Sequence, residues 1–84
     1  MSETKITIYS TEMCGYCKLA KQYFDENHIT YTEVDVSTDE AKQKEMIEKS
    51  GQMGVPVIVI EQDGKEEVLV GFQKEKLAQL LNIN

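Results

Sequence analysis

Both thiols of this chain sit in one tetrapeptide, Cys14-Gly15-Tyr16-Cys17. Two cysteines three positions apart on the first turn of a helix share a face and lie near enough to close a small disulfide ring. A thiolate at a helix N-terminus is stabilised by unpaired backbone N–H groups and by the helix dipole, so Cys14 is expected to ionise more readily than a free thiol. That is the equipment of thiol–disulfide exchange, in which one sulfur attacks and its neighbour resolves. The same spacing also serves half of a zinc site or a soft-metal carrier loop, and the surrounding elements have to decide. A closed zinc site needs four ligands, and beyond the two cysteines the chain has a single histidine, His28.

The elements that must position these thiols are legible as periodicities. Lys5 to Tyr9 reads as a first strand. From about Gly15 to about Glu26 the apolar residues Tyr16, Leu19, Ala20, Tyr23 and Phe24 recur with helical spacing, so the cysteines fall on a strand-to-helix loop. Tyr31 to Val36 reads as a second strand. Ser37 then stands as N-cap of a second helix, with Glu40 reaching back to complete a capping box and Gly51 ending it. Val57 to Ile60 is continuously apolar, as a central strand covered on both faces must be. Asp63-Gly64 supplies a hairpin turn to an antiparallel strand, Glu67 to Val70. Leu77, Leu80 and Leu81 give a last helix over about Lys74 to Leu81, and the chain order is βαβαββα. Pro56 opens the third strand, since proline donates nothing to a ladder. A cis Val55-Pro56 bond there would turn the backbone so that Val55 presents its N–H and C=O outward.

Composition limits the classes of function. With 84 residues, 40% of them hydrophobic, the chain suits one domain spanning residues 1–84. Two cysteines so close together provide no long-range disulfide framework, so packing has to hold the fold. The formal net charge of −6 disfavours polyanions, and Lys42, Lys44 and Lys49 alternate with Glu40, Glu45 and Glu48 as a solvated helix face does. Nucleic acid is therefore not an expected partner. The longest apolar run, Val55 to Ile60, is far shorter than the roughly 20 residues that span a bilayer, so no membrane association is expected. The polar segment Met1 to Lys5 leads straight into the strand pattern, and a cytoplasmic, reducing setting is the default expectation, with a monomer as the default state. Lys18 and Lys21, one and two turns into the helix, read first as solvent-facing charges and, as the alternative, as cationic helpers to Cys14, and His28 has no reason to approach the thiols.

Taken together, the strand order, the C-x-x-C after strand one and the proline before strand three resemble the glutaredoxin family of the thioredoxin superfamily over nearly the whole chain. The resemblance implies a thioredoxin-like α/β fold, a four-stranded mixed sheet flanked by helices. It further implies a thiol–disulfide oxidoreductase with Cys14 as nucleophile and Cys17 as resolving thiol, acting on protein or glutathione-mixed disulfides without a bound cofactor. By resemblance Tyr16, Gln52, Val55, Pro56 and Gly71 fall at substrate-binding positions, Tyr16 matching the tyrosine of the common Cys-Pro-Tyr-Cys form. Glutathione is then a reductant or cosubstrate.

Three departures bear on glutathione. Thr11 stands where many relatives carry a cation, Gly71-Phe72-Gln73-Lys74 replaces the usual Gly-Gly-acidic run, and Gly54 replaces the threonine of Thr-Val-Pro. The Gly-Phe step is similar to redoxins that are reduced by thioredoxin reductase and supply electrons to ribonucleotide reductase, which makes thioredoxin reductase the alternative electron donor. A copper carrier is a poorer match, because Met13 lies one place too close to Cys14 and such domains run βαββαβ without the proline. A cluster-binding glutaredoxin that shares an iron–sulfur centre between two subunits is the remaining relative.

Overall fold

The structure is a computed structural model, and it describes residues 4–62 and 64–81. The elements run β1 (Lys5–Ser10), α1 (Gly15–Glu26), β2 (Thr32–Asp35), α2 (Glu40–Ser50), β3 (Val57–Gln62), β4 (Lys65–Val70) and α3 (Lys74–Leu81). The four strands form one sheet in the order β2-β1-β3-β4. β1 and β2 pair in parallel, which requires a crossover, and α1 provides it. The other two pairings are antiparallel.

Alternation of side chains across the strands divides the core in two. Ile6 and Ile8 of β1, Ile58 and Ile60 of β3 and Leu69 of β4 face one side, where Ala20, Tyr23 and Phe24 of α1 and Leu77 of α3 cover them. Tyr9, Val57 and Val59 face the other, against Val36, just after β2, and Met46 of α2. Each of the four residues Val57 to Ile60 is therefore buried, as the unbroken apolar run of a central strand anticipates.

Helix ends show where local chemistry competed. The predicted Ser37 cap is not used. Asp39 caps α2, its Oδ1 accepting from the Lys42 N–H at 3.1 Å, while Ser37 donates both its N–H and its hydroxyl to Asp35 Oδ1. Aspartate and serine cap about equally well, and the Asp35 carboxylate takes Ser37 into a turn of its own. Gly51 ends α2 in the left-handed region at φ 73°, with its N–H bonded to Ile47 C=O at 2.7 Å. At the end of α1 the same role falls to His28 at φ 55°, where the His28 and Ile29 N–H groups return to Asp25 and Phe24. His28 is thus a capping residue, with no tie to the thiols.

The strands differ from expectation only at their ends. β4 begins at Lys65 because Gln62↔Lys65 and Glu61↔Glu66 extend the ladder through residues whose polarity reads as turn. Of the anticipated Asp63-Gly64 turn, Gly64 adopts φ 76° and Asp63 lies outside the described residues.

Candidate active site

The two cysteines form a disulfide, with Cα atoms 5.2 Å apart. Its position follows from the helix start. Cys14 is the N-cap of α1, in extended geometry, and its Sγ accepts the Cys17 N–H at 3.1 Å. A sulfur thus takes the place that a serine or aspartate oxygen usually holds, so one of the orphan N–H donors of the helix points at the sulfur that would carry negative charge. The loop is tightened by Cys14 N–H donating to Thr11 C=O at 3.3 Å. Burial separates the pair: Cys17 is fully buried, whereas Cys14 retains 9% exposure. Between them Tyr16 is 67% exposed, projecting outward beside the disulfide.

Ser10, the last residue of β1, anchors the loop from below. Its buried hydroxyl donates to Glu33 Oε2 on β2 at 3.0 Å, and Lys21 of α1 donates to the same oxygen. The Lys21 hydrogen bond, aided by the one from Ser10, holds the Glu33 carboxyl below its ordinary range. Lys21 is therefore paired with a carboxylate and is not a free cation for the thiols, in keeping with its reading as a surface charge.

The register of β1 on β3 brings the proline loop to the same end of the sheet. Tyr9 pairs with Val57, which sets the start of β3 beside the loop that follows β1. The Val55-Pro56 bond is cis, and Pro56 is fully buried. Val55 is half-buried, and neither its N–H nor its C=O has a hydrogen-bond partner among the described residues. Gly71, at φ 84°, donates its N–H to Pro56 C=O at 2.8 Å, which ties the turn after β4 to the proline loop. Of the predicted binding positions, then, Cys14, Tyr16, Cys17, Val55, Pro56 and Gly71 gather at one end of the sheet. Gln52 is exposed beyond the end of α2, its backbone held by Ser50 Oγ. Phe72 packs edge-on to Tyr23, with ring centroids 5.9 Å apart, and Lys74 Nζ lies 5.8 Å from the Tyr23 ring centre.

Two exposed apolar side chains flank this region, of which the sequence reading weighs only Met13, as a poor match to a copper-carrier loop. Met13 is 94% exposed and Met53 77% exposed, one on the cysteine loop and the other on the proline loop. An exposed methionine in a polar, glycine-bordered loop is the one hint that sequence offers. Among the described residues no group of three or more His, Cys, Asp or Glu side chains converges on a metal position.

A mixed sheet in the order β2-β1-β3-β4, a C-x-x-C at the N-terminus of α1 and a cis-proline loop at the same end define a thioredoxin-like redox fold. The chain belongs to the glutaredoxin family, whose model matches residues 6–65. It is 41% identical over 76 residues to a glutaredoxin-like 8.6 kDa protein of the rubredoxin operon of Clostridium pasteurianum, covering 90% of this chain and 96% of that one. It is 36% identical over 56 residues to glutaredoxin 3 of Escherichia coli, covering 67% of this chain and 68% of that one. A crystal structure of a point mutant of the thioredoxin-like protein BC3987 superposes with a TM-score of 0.83 at 39% identity, covering 95% and 97% of the two chains. Family and C-x-x-C pair together support thiol–disulfide oxidoreductase chemistry. No helix among the described residues is long and apolar enough to cross a membrane.

Proposed function

We propose that the protein reduces protein or glutathione-mixed disulfides, with Cys14 as nucleophile and Cys17 as resolving thiol. The observation that carries this assignment is the asymmetry of the pair. Cys14 keeps 9% exposure and its sulfur receives a helix N-terminal N–H, whereas Cys17 is fully buried. In the reduced protein the Cys14 thiolate attacks one sulfur of the substrate disulfide, and the other leaves as a thiolate that takes a proton. Cys17 then loses its proton and attacks Cys14 Sγ, expelling the second substrate thiolate. Two electrons and two protons pass to the substrate, and the Cys14–Cys17 disulfide remains. The helix N-terminus contributes most in whichever step expels Cys14, as when an external thiol attacks the substrate sulfur of the mixed disulfide, because a stabilised thiolate is a better leaving group, while its gain in ionised fraction is offset by lower nucleophilicity.

In this reading Tyr16 and the Val55-Pro56 backbone flank the incoming disulfide, Gly71 holds the proline loop, and Gln52 offers an amide to a carboxylate. The protein works as a monomer without a resident cofactor, and glutathione enters as reductant or cosubstrate. A second reading, reduction by thioredoxin reductase with ribonucleotide reductase as acceptor, draws on two observations. Thr11 supplies no cation for a glutathione carboxylate, and Phe72, packed on Tyr23, stands in place of the second glycine of the family's Gly-Gly turn.

Two coupled assays test both readings, one fed by glutathione with glutathione reductase and one by thioredoxin reductase. Cys14→Ser is expected to abolish turnover in each, and Cys17→Ser to accumulate a mixed disulfide at Cys14. Turnover with glutathione supports the first reading, and turnover with thioredoxin reductase alone supports the second. Full activity of Cys14→Ser would refute the assignment of the nucleophile.

A further inference from the structure

Of the four methionines, the three among the described residues divide by burial. Met46 is 2% exposed in the core, whereas Met13 is 94% and Met53 77% exposed. With both cysteines joined in the disulfide, the exposed thioethers are the sulfurs most open to an oxidant in this form of the protein. Met13 stands immediately before the N-cap Cys14, in the turn that the Cys14 N–H closes on Thr11 C=O at 3.3 Å. Met53, by contrast, lies on the proline loop, away from the start of the helix.

The start of α1 has donors to spare. Cys14 Sγ accepts the Cys17 N–H and Cys14 C=O accepts the Lys18 N–H at 3.3 Å, while the N–H groups of Gly15 and Tyr16 have no acceptor among the described residues. These donors and the helix dipole are what stabilise a thiolate at Cys14. The Met13 thioether competes little for them, because its sulfur is a weak acceptor. Oxidation changes that balance. A peroxide transfers one oxygen atom to the sulfur: a sulfur electron pair forms the S–O bond, the O–O bond breaks, and water or an alcohol leaves. The sulfoxide is polar with its negative end on oxygen, and whatever it takes from the helix N-terminus is lost to the neighbouring thiolate.

We propose that Met13 is an oxidant-modification site whose sulfoxide weakens the thiolate of Cys14. Protein that meets a peroxide while its cysteines are oxidised then returns, once re-reduced, with less thiolate at neutral pH and a poorer leaving group at Cys14. Enzymatic reduction of the sulfoxide reverses the change. The proposal rests on Cys14 as the nucleophile, and its test separates the two claims.

The test is partial oxidation of the disulfide form with hydrogen peroxide, then removal of the peroxide, reduction with dithiothreitol and removal of the reductant. Pulses of iodoacetamide over a range of pH alkylate the thiols, and trypsin releases Ile6–Lys18, a single fragment that carries Met13, Cys14 and Cys17. Mass spectrometry then compares Cys14 in molecules with and without the Met13 sulfoxide in one sample. Met13 and Met53 are each expected to oxidise at least about tenfold faster than Met46. In the sulfoxide fraction Cys14 is expected to be about two- to fivefold weaker as an acid, the range of a contact at a helix end, read as a rise in the midpoint of alkylation against pH. Methionine sulfoxide reductases acting on both epimers should restore the midpoint. Met13→Leu should hold it through peroxide treatment, whereas Met53→Leu should still shift. Equal midpoints in the two fractions would overturn the proposal and leave Cys14 standing as the nucleophile. A shift that persists in Met13→Leu would overturn Met13 as its source. Oxidation of Met13 no faster than that of Met46 would overturn the modification site. Alkylation of Cys17 in preference to Cys14 would refute the nucleophile and the proposal with it.

Discussion

Replacing Tyr9 by Phe isolates the contact that joins the sheet to α2. The Tyr9 ring is buried in the core beneath α2, and its hydroxyl donates to Glu45 Oε2 at 2.6 Å. Burial, and then the hydrogen bond and charge of Glu45, push the phenol well above its ordinary value of 10.0. A group whose folded value is raised gives its full stability below the unfolded value, and that stability is lost as pH rises beyond it. Above pH 10 the unfolded phenol gives up its proton while the folded one retains it, so stability falls by about 1.4 kcal/mol per pH unit. The loss reaches roughly 1.4 kcal/mol at pH 11 and roughly 2.7 kcal/mol at pH 12. Tyr9→Phe keeps the ring and deletes the hydroxyl. It costs about 1–2 kcal/mol at pH 7, because Glu45 is half-exposed and rehydrates when its partner goes.

The two proteins should therefore differ by about 1–2 kcal/mol from pH 7 to 9, converge near pH 11 and cross above it. Urea unfolding of the oxidised proteins, followed by far-ultraviolet circular dichroism across this range, measures the difference. The raised Tyr31 and Lys49 also lose stability as pH climbs, but both proteins carry them and they cancel. Parallel curves up to pH 12 would refute the reasoning, since they would mean that the Tyr9 hydroxyl ionises in the fold as readily as in the unfolded chain.

The remaining expectations concern caps, a turn and a missing charge. Asp39→Ala should lower stability by about 1 kcal/mol, seen as a fall of about 4–8 °C in Tm, and Ser37→Ala should leave the α2 cap intact. At Gly71 an added Cβ would meet nothing within 4 Å, so the cost of Gly71→Ala comes from its φ of 84°. That cost is about 1–2 kcal/mol, and it should appear both in urea unfolding and as slower disulfide reduction, because the Gly71 N–H holds Pro56. Thr11→Lys adds the cation that the site lacks. It should lower the KM for glutathione in the glutathione reductase-coupled assay by up to about fivefold, the range of an exposed ion pair, and an unchanged KM would count against position 11 as the place where a glutathione carboxylate approaches.

Much of this architecture is written in local patterns. Helix α1 follows from the spacing of Ala20, Tyr23 and Phe24, and its start falls where the cysteines need it. Pro56 and the apolar run behind it mark the head of a central strand. What sequence does not reveal is contact between residues far apart along the chain. Tyr9 with Glu45, and Ser10 with Glu33 and Lys21, depend on strand register and on which way a helix faces, and no local spacing encodes either. The α2 cap differs for another reason: the sequence reading places it at Ser37, but Asp39 caps equally well and Asp35, outside the helix, takes Ser37 into a turn of its own. In sequence β4 looks shorter than it is because Lys65 and Glu66 are polar, yet an antiparallel hairpin imposes strand geometry on whatever residues complete its ladder.

The two faces of the sheet are held by different kinds of interaction, and the division suits the proposed chemistry. On one face α1 buries Ala20, Tyr23, Phe24 and Cys17, so the helix whose N-terminus supplies the N–H to Cys14 Sγ is fixed by close packing. On the other, α2 buries only Met46 and is tethered largely by polar contacts, Tyr9 to Glu45, Gln43 to Val36 C=O and Lys49 to Glu66. Packing fixes position more firmly than exposed polar contacts do, because an exposed ion pair contributes at most about 1 kcal/mol. Exchange between disulfides demands that the attacking sulfur keep its geometry, and a closely packed helix keeps it. The disulfide sits at the start of α1, on the face where the helix buries four side chains.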